Sequence, residues 1–123
     1  MANTIFSPLL VLLLLCIVHK GLAQCSMSAV SVRQAPTGAT VEGQAEYEVT
    51  VSNDCSCPQS QVTVNCFGLS SVEPVDPTAI KTVDAEKCIV ANGRPLVNGR
   101  PVKFKYAWKT PQDFPVVSTK INC

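Results

Sequence analysis

Val102-Lys103-Phe104-Lys105-Tyr106-Ala107-Trp108-Lys109 alternates large apolar side chains with lysines and a single alanine. A two-residue period sends one set of side chains to a core and the other to water, which is a β-strand packed on one face. The same period recurs on both sides of this stretch. Tyr47, Val49 and Val51 alternate with Glu46, Glu48 and Thr50, and Val62 and Val64 alternate with Gln61, Thr63 and Asn65. Val117, Thr119 and Ile121 alternate with Ser118 and Lys120. Val30 and Val32 mark a first strand, and Cys88-Ile89-Val90 a short one.

Turn chemistry separates these runs. Pro36-Thr37-Gly38, Asn53-Asp54-Cys55-Ser56-Cys57-Pro58, Asn92-Gly93 and Asn98-Gly99 all read as reversals, because Asn and Gly tolerate positive φ. The last two sit in a short echo, Asn92-Gly93-Arg94-Pro95 and Asn98-Gly99-Arg100-Pro101. Asp76-Pro77-Thr78-Ala79-Ile80 suits one helical turn, with Asp76 as N-cap and Pro77 in the first position. No longer helix is expected. After residue 23 there are 15 valines against two leucines, a bias that favours pleated strands, where β-branched side chains lose little rotamer freedom. The expected fold is all-β, a single antiparallel β-sandwich of about six to eight short strands.

The apolar run from Ile5 to Val18 is too short to cross a bilayer, and Gly21-Leu22-Ala23 supplies small residues for signal-peptidase cleavage. Residues 1–23 are therefore expected to be a secretory signal peptide, and residues 24–123 an extracellular, cysteine-rich domain with no membrane insertion once the signal is cleaved. Cys16 lies in the signal. The domain keeps Cys25, Cys55, Cys57, Cys66, Cys88 and Cys123, and an even count in a secreted chain reads as three disulfides. Six cysteines allow 15 pairings; only Cys55 with Cys57 is excluded, being too close along the chain to bridge without strain.

Charge and composition exclude several functions. A formal charge of +1 gives no basic surface for phosphates. His19, the one histidine, lies in the signal, so the domain lacks an imidazole for nucleophilic catalysis or zinc binding. Cys55-Ser56-Cys57 lacks the spacer of a redox pair. Asp76, Asp84, Glu86 and Asp113 are scattered in loops. No catalytic site, metal or cofactor is expected, and the protein is not expected to be an enzyme.

The near-neutral total hides an asymmetry. Residues 24–86 carry eight acidic residues against Arg33 and Lys81, while residues 87–123 carry seven basic residues against Asp113. Arg94 and Arg100 sit at turns, where loops carry recognition on a rigid scaffold, and Lys103 and Lys105 point outward from their strand. These four residues are the candidate contacts for a partner. The lysines have a second reading: if strands 46–51 and 102–108 are neighbours, Glu46 and Glu48 pair with Lys103 and Lys105 across the sheet. Trp108, at a strand end, raises the alternative of a module that binds cell-wall polysaccharide, provided that it and neighbouring aromatics are exposed. Asn92–Pro101 is the only loop suited to a protease inhibitor.

Cys55-Ser56-Cys57-Pro58-Gln59-Ser60-Gln61, Cys66 and Val72-Glu73-Pro74-Val75-Asp76-Pro77 resemble the plant tapetum determinant family. So does the block Cys88-Ile89-Val90-Ala91-Asn92-Gly93-Arg94-Pro95-Leu96, followed by Gly99, Phe104-Lys105-Tyr106-Ala107-Trp108 and Cys123. The resemblance runs from Cys25 to Cys123. It implies a small secreted signalling protein of the apoplast, acting as ligand of a leucine-rich-repeat receptor kinase ectodomain in cell differentiation, as in the anther tapetum.

Overall fold

The computed structural model describes residues 25–123; the expected signal segment lies outside the described residues. Seven strands form two antiparallel sheets. The first sheet has order β1-β2-β6, with β1 Val30–Val41, β2 Gln44–Asn53 and β6 Val102–Ala107. The second has order β4-β5-β3-β7, with β3 Gln59–Asn65, β4 Ile80–Thr82, β5 Lys87–Val90 and β7 Val116–Ile121. This is the expected all-β sandwich.

The alternation decides what lies between the sheets. Val49, Val51, Phe104 and Tyr106 of the first sheet pack with Val62, Val64, Ile80, Cys88 and Val90 of the second. Phe114 wedges edge-on against both Phe104 and Tyr106, with ring centroids 5.5 and 5.6 Å apart. Tyr47 stacks on Tyr106 at 5.3 Å, the two being direct partners in the β2–β6 ladder. Such aromatic pairs add stabilisation beyond the area they bury.

One local expectation is corrected and one is met. Pro36-Thr37-Gly38 does not end a strand. β1 runs through it to Val41, and an irregularity between Pro36 and Thr40 absorbs the extra residues. β1 is an edge strand, where proline loses no ladder bond. The chain reverses instead at Glu42-Gly43, where φ is +49 and +77, the paired positive values of a type I′ hairpin. Residues 76–80 form a turn, closed by Ala79 N–H to Asp76 O at 3.1 Å and by Thr78 N–H to Asp76 Oδ1 at 2.9 Å. Ile80 N–H also reaches Asp76 O at 3.1 Å, so this is the expected single turn capped by Asp76, and the chain passes straight from it into β4.

The disulfides are Cys25–Cys55, Cys57–Cys123 and Cys66–Cys88. The last joins the end of β3 to β5 inside the core, its cysteines 2% and 0% exposed. The other two gather the N-terminal segment, the 54–58 turn and the C-terminus at one place.

Candidate interaction surface

Arg94 and Arg100 lie on the connection between β5 and β6. The connection begins with a left-handed turn, Ala91–Gly93, with φ of +53, +55 and +80. A left-handed backbone is costly for Ala91, while at position 93 the φ of +80 favours glycine and a Cβ would also push the end of the Gln61 side chain aside. Arg94 is exposed, and its N–H and Nε both donate to Ala91 O at 3.1 Å. Leu96, 2% exposed, fixes the middle of the loop. It exchanges two backbone hydrogen bonds with Gln59, and its carbonyl also accepts from Asn53 Nδ2 at 2.9 Å. Past Leu96, Arg100 N–H closes the Asn98-Gly99 turn on Val97 O at 3.2 Å. Asn98, Gly99 and Arg100 are exposed. The loop is thus held at both turns and at its centre while presenting two arginines.

Asn53 and Gln59, buried and polar, are the residues that sequence reasoning missed here. Asn53 Nδ2 also donates to Cys57 O at 3.0 Å, and its Oδ1 accepts from Cys55 N–H at 3.0 Å. Gln59 Nε2 donates to Ser26 O at 2.9 Å, and its Oε1 accepts from the Thr119 hydroxyl at 2.7 Å. Both amides are therefore satisfied in a dry setting, where an unpaired group would cost about 1–3 kcal/mol. The signal for Asn53 was its place at the head of a turn; nothing local marked Gln59 as buried.

Lys103 and Lys105 have different neighbours. β2 and β6 are adjacent, and Glu48 stands directly across from Lys105, with Thr50 across from Lys103. Both lysines line a surface depression with Glu48, Glu73 and Asp76. The strands are neighbours, as the cross-strand reading requires, but the register sets only Glu48 opposite a lysine; Glu46 stands across from Ala107. The arginines and the lysines belong to separate settings, a loop and a strand face.

Glu73 was not singled out from sequence. Residues 71–73 lie along the free edge of β6, tied by Val72 N–H to Ala107 O at 2.9 Å and by Ala107 N–H to Ser71 Oγ at 3.1 Å. Glu73 is thereby brought beside Glu46 of β2. Burial, then the hydrogen bond to Glu46, raises the Glu73 pKa; the Thr37 hydroxyl, 2.8 Å from Glu46 Oε1, and then Glu73 lower that of Glu46.

The aromatic platform that a polysaccharide module requires is not formed by this strand. Phe104 and Tyr106 are 4% and 0% exposed, and Trp108 packs half-buried on the core with the Lys109 ammonium 5.9 Å from its ring centroid.

Comparison with known proteins follows this geometry. The profile of the tapetum determinant 1 C-terminal region matches residues 26–123. The chain is 29% identical over 101 residues to TPD1 protein homolog 1 of Arabidopsis thaliana, covering 80% of this chain and 55% of that protein. It is 32% identical over 77 residues to TPD1 protein homolog 1A of Oryza sativa subsp. japonica, covering 56% of this chain and 34% of that protein. The chain thus spans about half, or less, of the length of these curated relatives. No solved structure matches. With the match running through five of the six bridged cysteines, the Ala91–Arg100 loop and the β6 strand, the chain belongs to the tapetum determinant 1 family.

Proposed function

We propose that this protein is a secreted, non-enzymatic signalling ligand that binds the ectodomain of a plant leucine-rich-repeat receptor kinase and acts in cell differentiation in reproductive tissue. Family membership supports the class of function. The observation that carries the contact site is the rigid loop presenting Arg94 and Arg100. Binding by a loop held at three points loses little conformational entropy, and arginine is favoured at interface hot spots for its planar, multidentate donor group. Lys105, opposite Glu48, and Lys103, beside it in the same acidic depression, contribute less to binding than the arginines. Among the described residues no helix is long and apolar enough to cross a membrane, which fits a ligand released to the apoplast.

The test is binding of the secreted protein to purified leucine-rich-repeat ectodomains, with the Arg94→Ala/Arg100→Ala variant alongside. The expected result is micromolar or tighter binding to one ectodomain, at least about tenfold weaker in the variant, with an unchanged melting temperature. No binding to any ectodomain overturns the function; equal binding by the variant overturns the site.

A further inference from the structure

The sulfurs of Cys25, Cys57 and Cys123 all lie within 4.8 Å of one another. Cys57 and Cys123 are bonded to each other, whereas Cys25 belongs to the bridge with Cys55. Two separate disulfides therefore abut through Cys25. Access is graded across them: Cys123 is exposed, while Cys25, Cys55 and Cys57 are half-buried. The third bridge has no such access, because Cys66 and Cys88 lie in the core. Disulfides exchange when a thiolate reaches a sulfur of the bond and displaces the other sulfur as a thiolate. A thiolate held beside its target reacts far faster than one that must diffuse to it.

We propose that Cys25–Cys55 and Cys57–Cys123 form a single thiol-exchange site, whose substrate is a low-molecular-weight thiol entering at Cys123. In the first step the incoming thiolate bonds to Cys123 Sγ, the Cys57–Cys123 bond breaks, and Cys57 leaves as a thiolate. In the second, the Cys57 thiolate attacks Cys25 Sγ, a Cys25–Cys57 bond forms, the Cys25–Cys55 bond breaks, and Cys55 leaves as a thiolate that takes a proton from water. One thiol is consumed and one is released. Two disulfides are broken and two are made, so there is no net oxidation or reduction. The product carries the small thiol on Cys123 and a free thiol on Cys55, while Cys66–Cys88 is untouched. This site stands apart from the receptor reading and does not depend on it.

The sharpest test needs no added thiol. In a Cys123→Ser variant, Cys57 is left as the one unpaired cysteine of the domain. Incubation at mildly alkaline pH, acid quenching, alkylation and peptide mapping then locate the free thiol. The expected result is label divided between Cys57 and Cys55, with Cys66 and Cys88 unlabelled. Label confined to Cys57 overturns the proposal, as does label spread to Cys66 and Cys88, which would mean exchange through global unfolding. Should the variant fail to fold, the unmodified protein is treated with glutathione below stoichiometry and mapped the same way. The glutathione adduct is expected on Cys123 with the free thiol on Cys55. An adduct on Cys123 with the thiol still on Cys57, or an opening of Cys66–Cys88 first, refutes it.

Discussion

The molecule holds its long connections in two ways, and they sit in different regions. Around β3, β5 and the chain ends, closure is covalent, through Cys66–Cys88 and the two adjoining terminal bridges. Around β6, the connections spanning 67–76 and 108–115 are held by hydrogen bonds. There the Tyr106 hydroxyl donates to Gln34 Oε1 at 2.5 Å and accepts from Gln112 N–H at 2.8 Å. Gln112 in turn clasps the Ser70 backbone, accepting from its N–H at 3.1 Å and donating to its carbonyl at 2.6 Å. The two solutions act on different states. A disulfide works chiefly by restricting the unfolded chain; a buried polar network works in the folded state, because breaking it strands desolvated groups. The sulfur region is therefore the one that reductants open, and the polar region the one that depends on folded-state contacts.

The largest effects should come from the bridges, and their order tests what a bridge does here. The sequence separations are 66 for Cys57–Cys123 and 22 for Cys66–Cys88. Loop entropy alone makes these worth about 4 and about 3 kcal/mol, ranking the terminal bridge higher. Packing reverses the order. Cys66 and Cys88 are core residues, and truncating each buried sulfur adds about 1 kcal/mol of cavity cost. Cys66→Ala/Cys88→Ala should thus lose about 5 kcal/mol in urea unfolding, more than the roughly 4 kcal/mol of Cys57→Ala/Cys123→Ala. A larger loss for the terminal pair would show that chain entropy, and not burial, ranks the bridges.

Tyr106→Phe probes the other region. It keeps the ring that packs on Tyr47 and Phe114 but leaves Gln34 Oε1 and the Gln112 N–H without a partner. The expected loss is about 1–3 kcal/mol, below either bridge. Burial raises the Tyr106 pKa above the ordinary phenol value, so the hydroxyl stays protonated and the loss should be the same at pH 6 and pH 8. A penalty equal to that of a bridge would end the distinction between the regions.

What the sequence showed and what it hid divide along similar lines. Alternation in 102–108 and 47–51 located β6 and β2, because a two-residue period is a local property; which charges oppose each other depends on the register, which sets only Glu48 across from a lysine. β4 escaped notice: of its three residues only Ile80 is buried, and pairing with β5 makes it a strand. The Pro36-Thr37-Gly38 turn chemistry was real but was absorbed by an edge strand. Disulfide partners, the buried amides of Asn53 and Gln59, and the meeting of Glu73 with Glu46 all join residues distant in sequence, and no local pattern encodes them. Arg94 and Arg100 were legible as turn residues; the Leu96 anchor that makes their loop rigid was not.

The smallest effect is also the one that the sulfur region cannot imitate, since it depends on protons. The Glu73 pKa is raised, so its contribution to stability is present below the unfolded carboxylate value and is lost as pH rises through its folded value. The Glu46 pKa is lowered, so its contribution is present above the unfolded value and is lost as pH falls through its folded value. The pair is thus at its best with one proton between the two groups, in a window that straddles the reference value of 4.5. Above that window both groups are charged, and only Lys105, which attracts each of them, offsets the repulsion. Glu73→Gln supplies an uncharged donor to Glu46 at every pH. Its stability should match the parent inside the window and exceed it modestly at pH 7 to 8, read as a higher melting temperature. The gain should disappear in a Glu46→Gln background, where there is no second charge to repel. A gain that survives there would place the cost of Glu73 in its buried, unpartnered Oε1 rather than in repulsion from Glu46.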